Sequence, residues 1–246
     1  MSGAGLTVIE GHVRSQERPL LLDLFCCSGI GALGYYEAGF EVVGVDIGPQ
    51  PNYPFEFHQA DAVSLLDDWR MSGALDAFDA IHASPPCQAY SDLQRRTKRL
   101  YPRLIGPTRM ACIATGLPYV IENVEGSDLV DPTMLCGTMF PGLRVLRHRL
   151  FETNWTLTAP PHGDHPLVFT HDKRKGHFGK LDQDTSFVQV TGGGNCTMRN
   201  ARAAMGLPTD DRRTKHELNE GIPPAYTLHI GTQLLAVIEK GAADVA

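Results

Sequence analysis

The sequence predicts an α/β protein in which a doubly wound, mostly parallel sheet carries a small irregular lobe. Short apolar runs alternate with helix-like stretches through the first half of the chain, a rhythm typical of parallel sheets. That rhythm is lost over residues 126–195, which are rich in Gly, Pro, His and charged residues. In addition, 246 residues with 42% hydrophobic side chains are enough for one well-packed domain and a modest appendage.

Five short apolar segments predict the strands of the sheet, because each is bounded by turn-forming residues. They are residues 19–25, 41–46, 57–61, 79–84 and 119–124. Stretches with helical spacing lie between them, namely a segment that ends near Gly39, residues 62–71 and residues 107–115. Strands that alternate with helices in this order predict parallel pairing.

The second half of the chain predicts two further parts. Residues 187–190 have a strand-like pattern within the irregular stretch, and residues 226–240 carry an apolar face after two prolines, as a packed terminal helix does. We therefore expect a core over residues 1–143, a small lobe over residues 144–216, and a C-terminal segment over residues 217–246 that packs back on the core.

Charge is distributed unevenly along the chain, whose net charge is −6. Residues 93–215 carry 18 Lys and Arg against 11 Asp and Glu, a net +7, while the remainder carries 4 against 17, a net −13. A basic face on an acidic core is typical of proteins that bind nucleic-acid phosphates. Ordinary surface variation is the alternative.

No segment reaches the roughly 18 uninterrupted apolar residues that a membrane-spanning helix needs, and residues 1–10 lack the pattern of a secretory signal. We therefore expect a soluble, cytoplasmic protein without a membrane partner, and a monomer. The six cysteines include no CxxC pair, which favours free thiols. His162 and His165 form an HxxH pattern with His171 nearby, but without further clustered ligands we expect a polar loop and no metal.

Cys87 follows two prolines where the fourth predicted strand ends. The carboxyl ends of parallel strands form the edge at which open α/β sheets bind ligands. Four basic residues follow soon after it: Arg95, Arg96, Lys98 and Arg99. We expect this environment to lower the pKa of Cys87 and to favour a nucleophilic thiolate, whereas a buried structural cysteine is the alternative.

Glu122 lies at the end of the next predicted strand, on the same edge as Cys87. A salt-bridged surface carboxylate is one interpretation of this position. Beside a nucleophilic cysteine, a desolvated carboxyl group with a raised pKa would instead donate a proton to a heterocycle. A thiolate adds to a ring carbon of such a heterocycle only when a ring nitrogen receives a proton or hydrogen bond.

Taken together, these motifs resemble the cytosine-C5 DNA methyltransferase family, in particular its short phage and prophage members. The matching motifs keep the order and spacing of the family over nearly the whole chain. On the cofactor side they are Asp23-Leu24-Phe25 with Gly29, Asp46 and Asp61. On the catalytic side they are Pro86-Cys87-Gln88, Glu122-Asn123-Val124 and Arg147-His148-Arg149, followed by closing segments at residues 203–208 and 220–224.

The resemblance implies a Rossmann-like methyltransferase core, DNA as partner, and a target-recognition lobe at residues 144–216 that faces the DNA. It implies a flipped cytosine to which Cys87 adds while carbon 5 accepts a one-carbon unit from S-adenosyl-L-methionine. The catalytic residues would be Cys87, Glu122, Asn123, Arg147 and Arg149. The cofactor-binding residues would be Phe25, Cys27, Gly29, Asp46, Asp61, Ala62, Pro85 and Glu220. A phage-encoded enzyme of this kind would act in the cytoplasm of a bacterial host.

Three positions depart from the family pattern. Cys27 replaces a glycine and Glu220 an asparagine, both on the side of the donor, and Val145 replaces a glutamine near the flipped base. Because the changes at Cys27 and Glu220 bear on the donor, 5,10-methylenetetrahydrofolate is an alternative one-carbon donor, with 5-hydroxymethylcytosine as product. Two further hypotheses are a catalytically silent DNA-binding relative and a tRNA-methylating enzyme.

Overall fold

A seven-stranded sheet forms the centre of the protein. The computed structural model describes residues 18–90, 100–166, 186–191 and 196–245. The strands are β1 (Leu20–Leu24), β2 (Glu41–Asp46), β3 (Glu56–Gln59), β4 (Ala80–Ala83), β5 (Tyr119–Asn123), β6 (Thr133–Leu135) and β7 (Arg149–Thr153). The helices are α1 (Ile30–Ala38), α2 (Ala62–Ser72), α3 (Ile105–Thr115), α4 (Met198–Ala204), α5 (Lys215–Glu220) and α6 (Pro224–Val245).

The strand order of the sheet is β3-β2-β1-β4-β5-β7-β6. Strands β1 to β5 are parallel to one another, whereas β7 runs antiparallel to both of its neighbours, β5 and β6. The chain leaves β1 toward β2 and later returns to its other side with β4. The carboxyl ends of β1 and β4 therefore diverge at a topological switch point, where open α/β sheets bind ligands.

Apolar cores cover both faces of the sheet. Every residue of β1, β4 and β5 is buried, as expected for parallel strands between two helical layers. Tyr35 and Tyr226 contribute the largest side chains of one core, where α1 and α6 pack. Leu66 and Cys112 belong to the other core, where α2 and α3 pack.

Helices α1 and α6 approach so closely that Gly34 has no room for a side chain. A Cβ atom there would lie 2.0 Å from the carbonyl oxygen of Pro224 and 2.2 Å from the hydroxyl oxygen of Thr227. The same hydroxyl donates a hydrogen bond to the carbonyl oxygen of Gly31 at 2.7 Å. These contacts pack the C-terminal helix against α1.

The fold class predicted from the sequence is confirmed, and the five predicted strands correspond to β1 to β5. Strand β3 begins one residue and ends two residues earlier than predicted, while β6 and β7 were not predicted. Residues 187–190 form no strand of the sheet, and only an isolated bridge joins Val188 to Val145. Strand β7 lies within the range assigned to the lobe, yet it pairs with β5. The domain boundaries otherwise stay a prediction.

Helices α4 and α5 share a third, smaller apolar core with the loop before β7. Val145, Val188 and Leu218 are fully buried there, and Ile30 joins this core to the start of α1. Within the part of the chain that the structure describes, none of the helices is long and apolar enough to cross a membrane.

Candidate active site

Cys87 begins a short 3-10 turn, Cys87–Ala89, directly after the strand exit at β4. Cys87 is partly exposed. The side-chain amide of Asn123, at the end of β5, donates a 2.7 Å hydrogen bond to the carbonyl oxygen of Pro85. Asn123 therefore fixes the backbone that carries Cys87, which gives this predicted site residue a positioning role.

The sequence predicted a lowered pKa for Cys87, but the described residues raise it. Burial raises the pKa of the thiol, and the charge of Glu122 raises it further, while Arg149 and Arg147 oppose the increase. The basic residues 95, 96, 98 and 99, on which the expectation rested, lie outside the described residues. With its surroundings as described, Cys87 is a thiol that needs a change in those charges before it can act as a nucleophile.

Glu122 is buried in β5 and forms an ion pair with the first residue of β7. Its Oε1 lies 2.9 Å from Nε of Arg149. Burial raises the pKa of Glu122, while Arg149, a hydrogen bond with Ser84 and the charge of Arg147 oppose that increase. The raised pKa predicted for this carboxyl group is therefore confirmed, and Arg149 and Ser84 hold it beside the Cys87 turn.

Arg147 is buried and extends away from the sheet toward α5. Its guanidinium group donates hydrogen bonds to the carbonyl oxygens of Val190, at 2.6 Å, and of Asn219. Burial and the nearby Arg149 lower the pKa of Arg147 to about 9. Its Nε has no hydrogen-bond partner among the described residues, so one buried donor stays available at the site.

A buried polar chain behind Glu122 was not predicted from the sequence. The hydroxyl of Tyr35 lies 2.9 Å from Nδ1 of His82, whose Nε2 lies 2.9 Å from the hydroxyl of Ser84. Burial lowers the pKa of His82 to about 3, so the ring is neutral. Ser84 thus connects a neutral buried histidine to the Glu122 carboxyl group. In the sequence, the one indication of this polar chain was His82, a polar residue within the otherwise apolar pattern of β4.

The loop between β1 and α1 has an unusual backbone. Phe25 and Cys27 have φ angles of 55° and 46°, in the left-handed region that favours glycine. Gly29, with φ 71°, has no room for a side chain, since a Cβ atom would lie 2.7 Å from Tyr53 and from Pro54. The loop therefore has a glycine-type backbone conformation at Cys27, although this residue carries a side chain.

Asp46, at the end of β2, accepts one hydrogen bond from this loop and one from the backbone that follows β2. Its Oδ2 accepts from the backbone N–H of Cys27 at 3.1 Å, and its Oδ1 accepts from the N–H of Gly48 at 3.0 Å. Asp46 thereby holds the β1–α1 loop against the end of β2. Of the predicted cofactor residues, Phe25, Cys27, Asp46 and Glu220 come together here.

A cleft opens at this switch point. It is lined by Asp23, Phe25, Cys26, Cys27, Ser28, Ile30, Gly31, His82, Ser84, Glu220, Gly221 and Ile222. Burial raises the pKa of Asp23 to about 7 despite a hydrogen bond from Tyr53. Burial also raises the pKa of Glu220, with Asp46 adding to the increase and His216 opposing it. The cleft is acidic and reaches Ser84, the residue that contacts Glu122.

The remaining predicted cofactor residues, Asp61, Ala62, Gly29 and Pro85, do not line this cleft. Asp61 caps the N-terminus of α2, where its side chain accepts a 2.9 Å hydrogen bond from the N–H of Ser64. The backbone hydrogen bond from Ser64 lowers its pKa. Ala62 is buried as the first residue of that helix. Asp61 therefore has a local structural role, and its predicted contact with a cofactor stays a prediction.

Comparison with known proteins gives the fold a context. No protein-family model matches the sequence, and no curated protein matches it. Similar solved structures include a candidate DNA modification methyltransferase encoded within a prophage of E. coli, with TM-score 0.62 and 17% identity over 90% of this chain and 99% of that one. The Dnmt2 methyltransferase of S. pombe gives TM-score 0.56 and 14% identity over 90% and 99%. The Entamoeba histolytica methyltransferase EhMeth gives TM-score 0.53 and 12% identity over 91% of this chain and 99% of that one. At these identities the likeness establishes a shared fold.

Proposed function

We propose that this protein is a DNA cytosine-C5 methyltransferase that uses Cys87 as a covalent nucleophile and S-adenosyl-L-methionine as methyl donor. The observation that carries the proposal is the placement of Cys87 beside the buried Glu122–Arg149 pair at one edge of the sheet. A methyltransferase fold with a cleft opening next to that pair supports it.

Cys87 and Glu122 divide the chemistry between a nucleophile and an acid. The Cys87 thiol transfers its proton to Glu122, and the thiolate adds to carbon 6 of the flipped cytosine while Glu122 protonates ring nitrogen 3. The negative charge of Glu122 raises the pKa of Cys87, so protonation of Glu122 lowers that pKa again. Among the described residues, Arg149 and Arg147 are positive charges that lower the pKa of Cys87 and so stabilise the thiolate.

Carbon 5 becomes nucleophilic once the Cys87–carbon 6 bond has formed. S-adenosyl-L-methionine, when bound, would supply an electrophilic methyl group to carbon 5, with its sulfur–methyl bond breaking and S-adenosyl-L-homocysteine leaving. Transfer of the carbon 5 proton to solvent water then breaks the bond between carbon 6 and Cys87 and expels the thiolate, and return of the nitrogen 3 proton to Glu122 restores the neutral aromatic ring. Flipping is required because carbon 6 of a stacked base is out of reach of the Cys87 turn. The unpaired Nε of Arg147 is a buried donor able to hold the flipped base.

The chemistry of the cleft favours a cationic donor over a folate. Asp23 and Glu220 line the cleft, and Asp46 lies next to its Cys27 wall. Ionised carboxylates attract the sulfonium and ammonium groups of S-adenosyl-L-methionine and repel the carboxylates of a folate, and a bound cation in turn favours the ionised forms of Asp23 and Glu220. The hydroxyl of Ser28 is buried in the same wall without a partner among the described residues, which leaves it free to bind a polar group.

Nucleoside mass spectrometry of DNA treated with each donor tests this proposal. We expect 5-methylcytosine with S-adenosyl-L-methionine and no modified base with 5,10-methylenetetrahydrofolate. A hydroxymethyl product with the folate would overturn the donor assignment while keeping the covalent mechanism. DNA binding without any product from either donor would instead identify a catalytically silent relative.

A further inference from the structure

Four potential metal ligands from three separate stretches of the chain meet beside the start of β7. They are the thiol of Cys136 and the imidazoles of His148, His162 and His165, and one ligand atom of each lies within 4.8 Å of the others. Cys136 is buried, His148 is half-buried and the other two are exposed. We propose that these four side chains bind one zinc ion in a closed structural site, an inference that does not depend on the proposed function.

The distances between the ligand atoms fit a tetrahedral zinc ion. Nε2 of His165 lies 3.5 Å from Sγ of Cys136, 3.0 Å from Nε2 of His148 and 3.1 Å from Nε2 of His162. Zinc bonds of about 2.0–2.1 Å to nitrogen and about 2.3 Å to sulfur place tetrahedral ligand atoms about 3.3 Å (N to N) and about 3.6 Å (N to S) apart. The three contacts therefore match edges of such a tetrahedron within a few tenths of an ångström.

The hydrogen bonding of His148 also favours a cation. Its Nδ1 lies 3.1 Å from Oε2 of Glu125. A neutral imidazole carries one N–H, so Nδ1 donates to Glu125 and Nε2 presents a lone pair to the cluster. Carboxylates orient metal-binding histidines in this way. A single proton on Nε2 of His165 satisfies only one of its two histidine neighbours, whereas a metal ion accepts lone pairs from all three rings.

The donor set identifies the metal and the kind of site. One thiolate with three imidazoles suits zinc, whereas magnesium and calcium prefer oxygen ligands. Four protein ligands fill a tetrahedral shell and leave no position for substrate, which is the arrangement of a structural zinc ion. Such an ion joins the residue after β6, the residue before Arg149 and the segment around His162 and His165.

Local spacing did not reveal this site. The HxxH pattern supplied His162 and His165, but Cys136 and His148 reach them only because β6 and β7 pair and place both residues at one end of the hairpin. His171, the third histidine noted in the sequence, lies outside the described residues.

The experiment is elemental analysis of the full chain, produced with zinc in the medium and purified under reducing conditions without chelators. We expect about one zinc per chain, and about one Co²⁺ after exchange, with the visible bands of tetrahedral Co²⁺ and a thiolate charge-transfer band. His162→Asn and His165→Asn change exposed side chains and should each abolish stoichiometric zinc. His58→Asn, on β3 outside the cluster, is the matched control and should retain it.

Thermal unfolding provides a second measurement that does not depend on activity. A strong chelator should lower the Tm of the wild-type protein and of His58→Asn, and should leave the Tm of the His162→Asn/His165→Asn double variant unchanged. A folded wild-type protein that carries no zinc and gives no tetrahedral Co²⁺ spectrum would overturn the proposal. Undiminished zinc in the double variant would overturn it as well, since the metal would then bind elsewhere.

Discussion

Nε of Arg149 lies 2.9 Å from Oε1 of Glu122, which joins the first residue of β7 to the carboxyl end of β5. The contact joins two neighbouring strands, since β7 pairs antiparallel with β5. The positive charge beside the buried carboxyl group of Glu122 therefore comes from β7. Arg149 holds the pKa of Glu122 below the value that burial alone would give, and it also opposes the raised pKa of Cys87. This one arginine thus lowers the pKa values of both groups that the proposed mechanism uses.

Replacing Glu122 with glutamine should slow the chemical step and leave DNA binding nearly intact. The amide preserves the shape of the side chain but cannot donate an acidic proton to the base. General acid catalysis is typically worth about 10² to 10⁴ in rate. Single-turnover kinetics and a binding isotherm on the same DNA would separate the two effects. A Glu122→Gln variant with the wild-type single-turnover rate would show that another group protonates the base.

Replacing Arg149 with glutamine should move the pH–rate profile to higher pH. The site reacts when one proton is shared between Cys87 and Glu122, and loss of the positive charge raises the pKa values of both groups. The acidic limb and the basic limb of the kcat/KM profile should therefore both shift to higher pH. Arg70→Gln, a change in an exposed ion pair on α2, is the control and should leave the profile in place. A shift of Arg149→Gln toward lower pH would contradict the proposed pairing.

The parallel strands could be predicted because each one corresponds to a short, continuous segment with a recognisable apolar pattern. Strands β1 to β5 are short apolar runs, and the edge that brings Cys87 and Glu122 together follows from parallel pairing alone. Strand β6 has three residues and β7 reads Arg-Leu-Phe-Glu-Thr, so neither carries a clear period. The pairing of β7 with β5 depends on tertiary contacts that no local pattern encodes.

The electrostatics of the site were predictable only in part. A carboxyl group at the end of a buried strand was expected to be desolvated, and the pKa of Glu122 is indeed raised. The pKa of Cys87 was expected to fall because basic residues follow it in sequence, but its burial and the charge of Glu122 have the opposite effect. The hydrogen bonds from Tyr35 through His82 to Ser84 link separate elements, so no local sequence pattern predicts them.

Asp23→Asn should stabilise the protein more at pH 8 than at pH 4. The pKa of Asp23 is about 7 in the folded protein and about 3.8 otherwise, so the folded state binds the extra proton between these values. Protonation of Asp23 therefore makes its full contribution to the free energy of unfolding below about pH 4. This contribution decreases by about 1.4 kcal/mol per pH unit as the pH rises to about 7. Because its pKa is lowered, His82 makes the free energy of unfolding increase with pH. This contribution is the same in the wild-type protein and in the variant, so it cancels when the two are compared. Denaturant unfolding at both pH values checks this, and equal effects of the substitution at pH 4 and pH 8 would refute it.

Glu220→Gln should weaken the binding of S-adenosyl-L-methionine. A partly buried carboxylate at the cleft attracts the cationic donor, and removing about 1 kcal/mol of such attraction corresponds to roughly a fivefold higher Kd. Isothermal titration calorimetry with the free donor measures this directly. Glu37→Gln, on the exposed face of α1, should leave the Kd unchanged. Tighter binding by Glu220→Gln would indicate that the charge serves a different donor.

Covalent trapping on DNA that contains 5-fluorocytosine tests the role of Cys87 most directly. After methyl transfer, fluorine at carbon 5 leaves no proton to remove, so the bond between Cys87 and carbon 6 cannot break. With S-adenosyl-L-methionine present, we expect a protein–DNA adduct that survives denaturation, formed by the wild-type protein and by the control Cys196→Ser. Cys87→Ser should form neither adduct nor 5-methylcytosine. An adduct or a full yield of 5-methylcytosine from Cys87→Ser would contradict covalent catalysis by this residue.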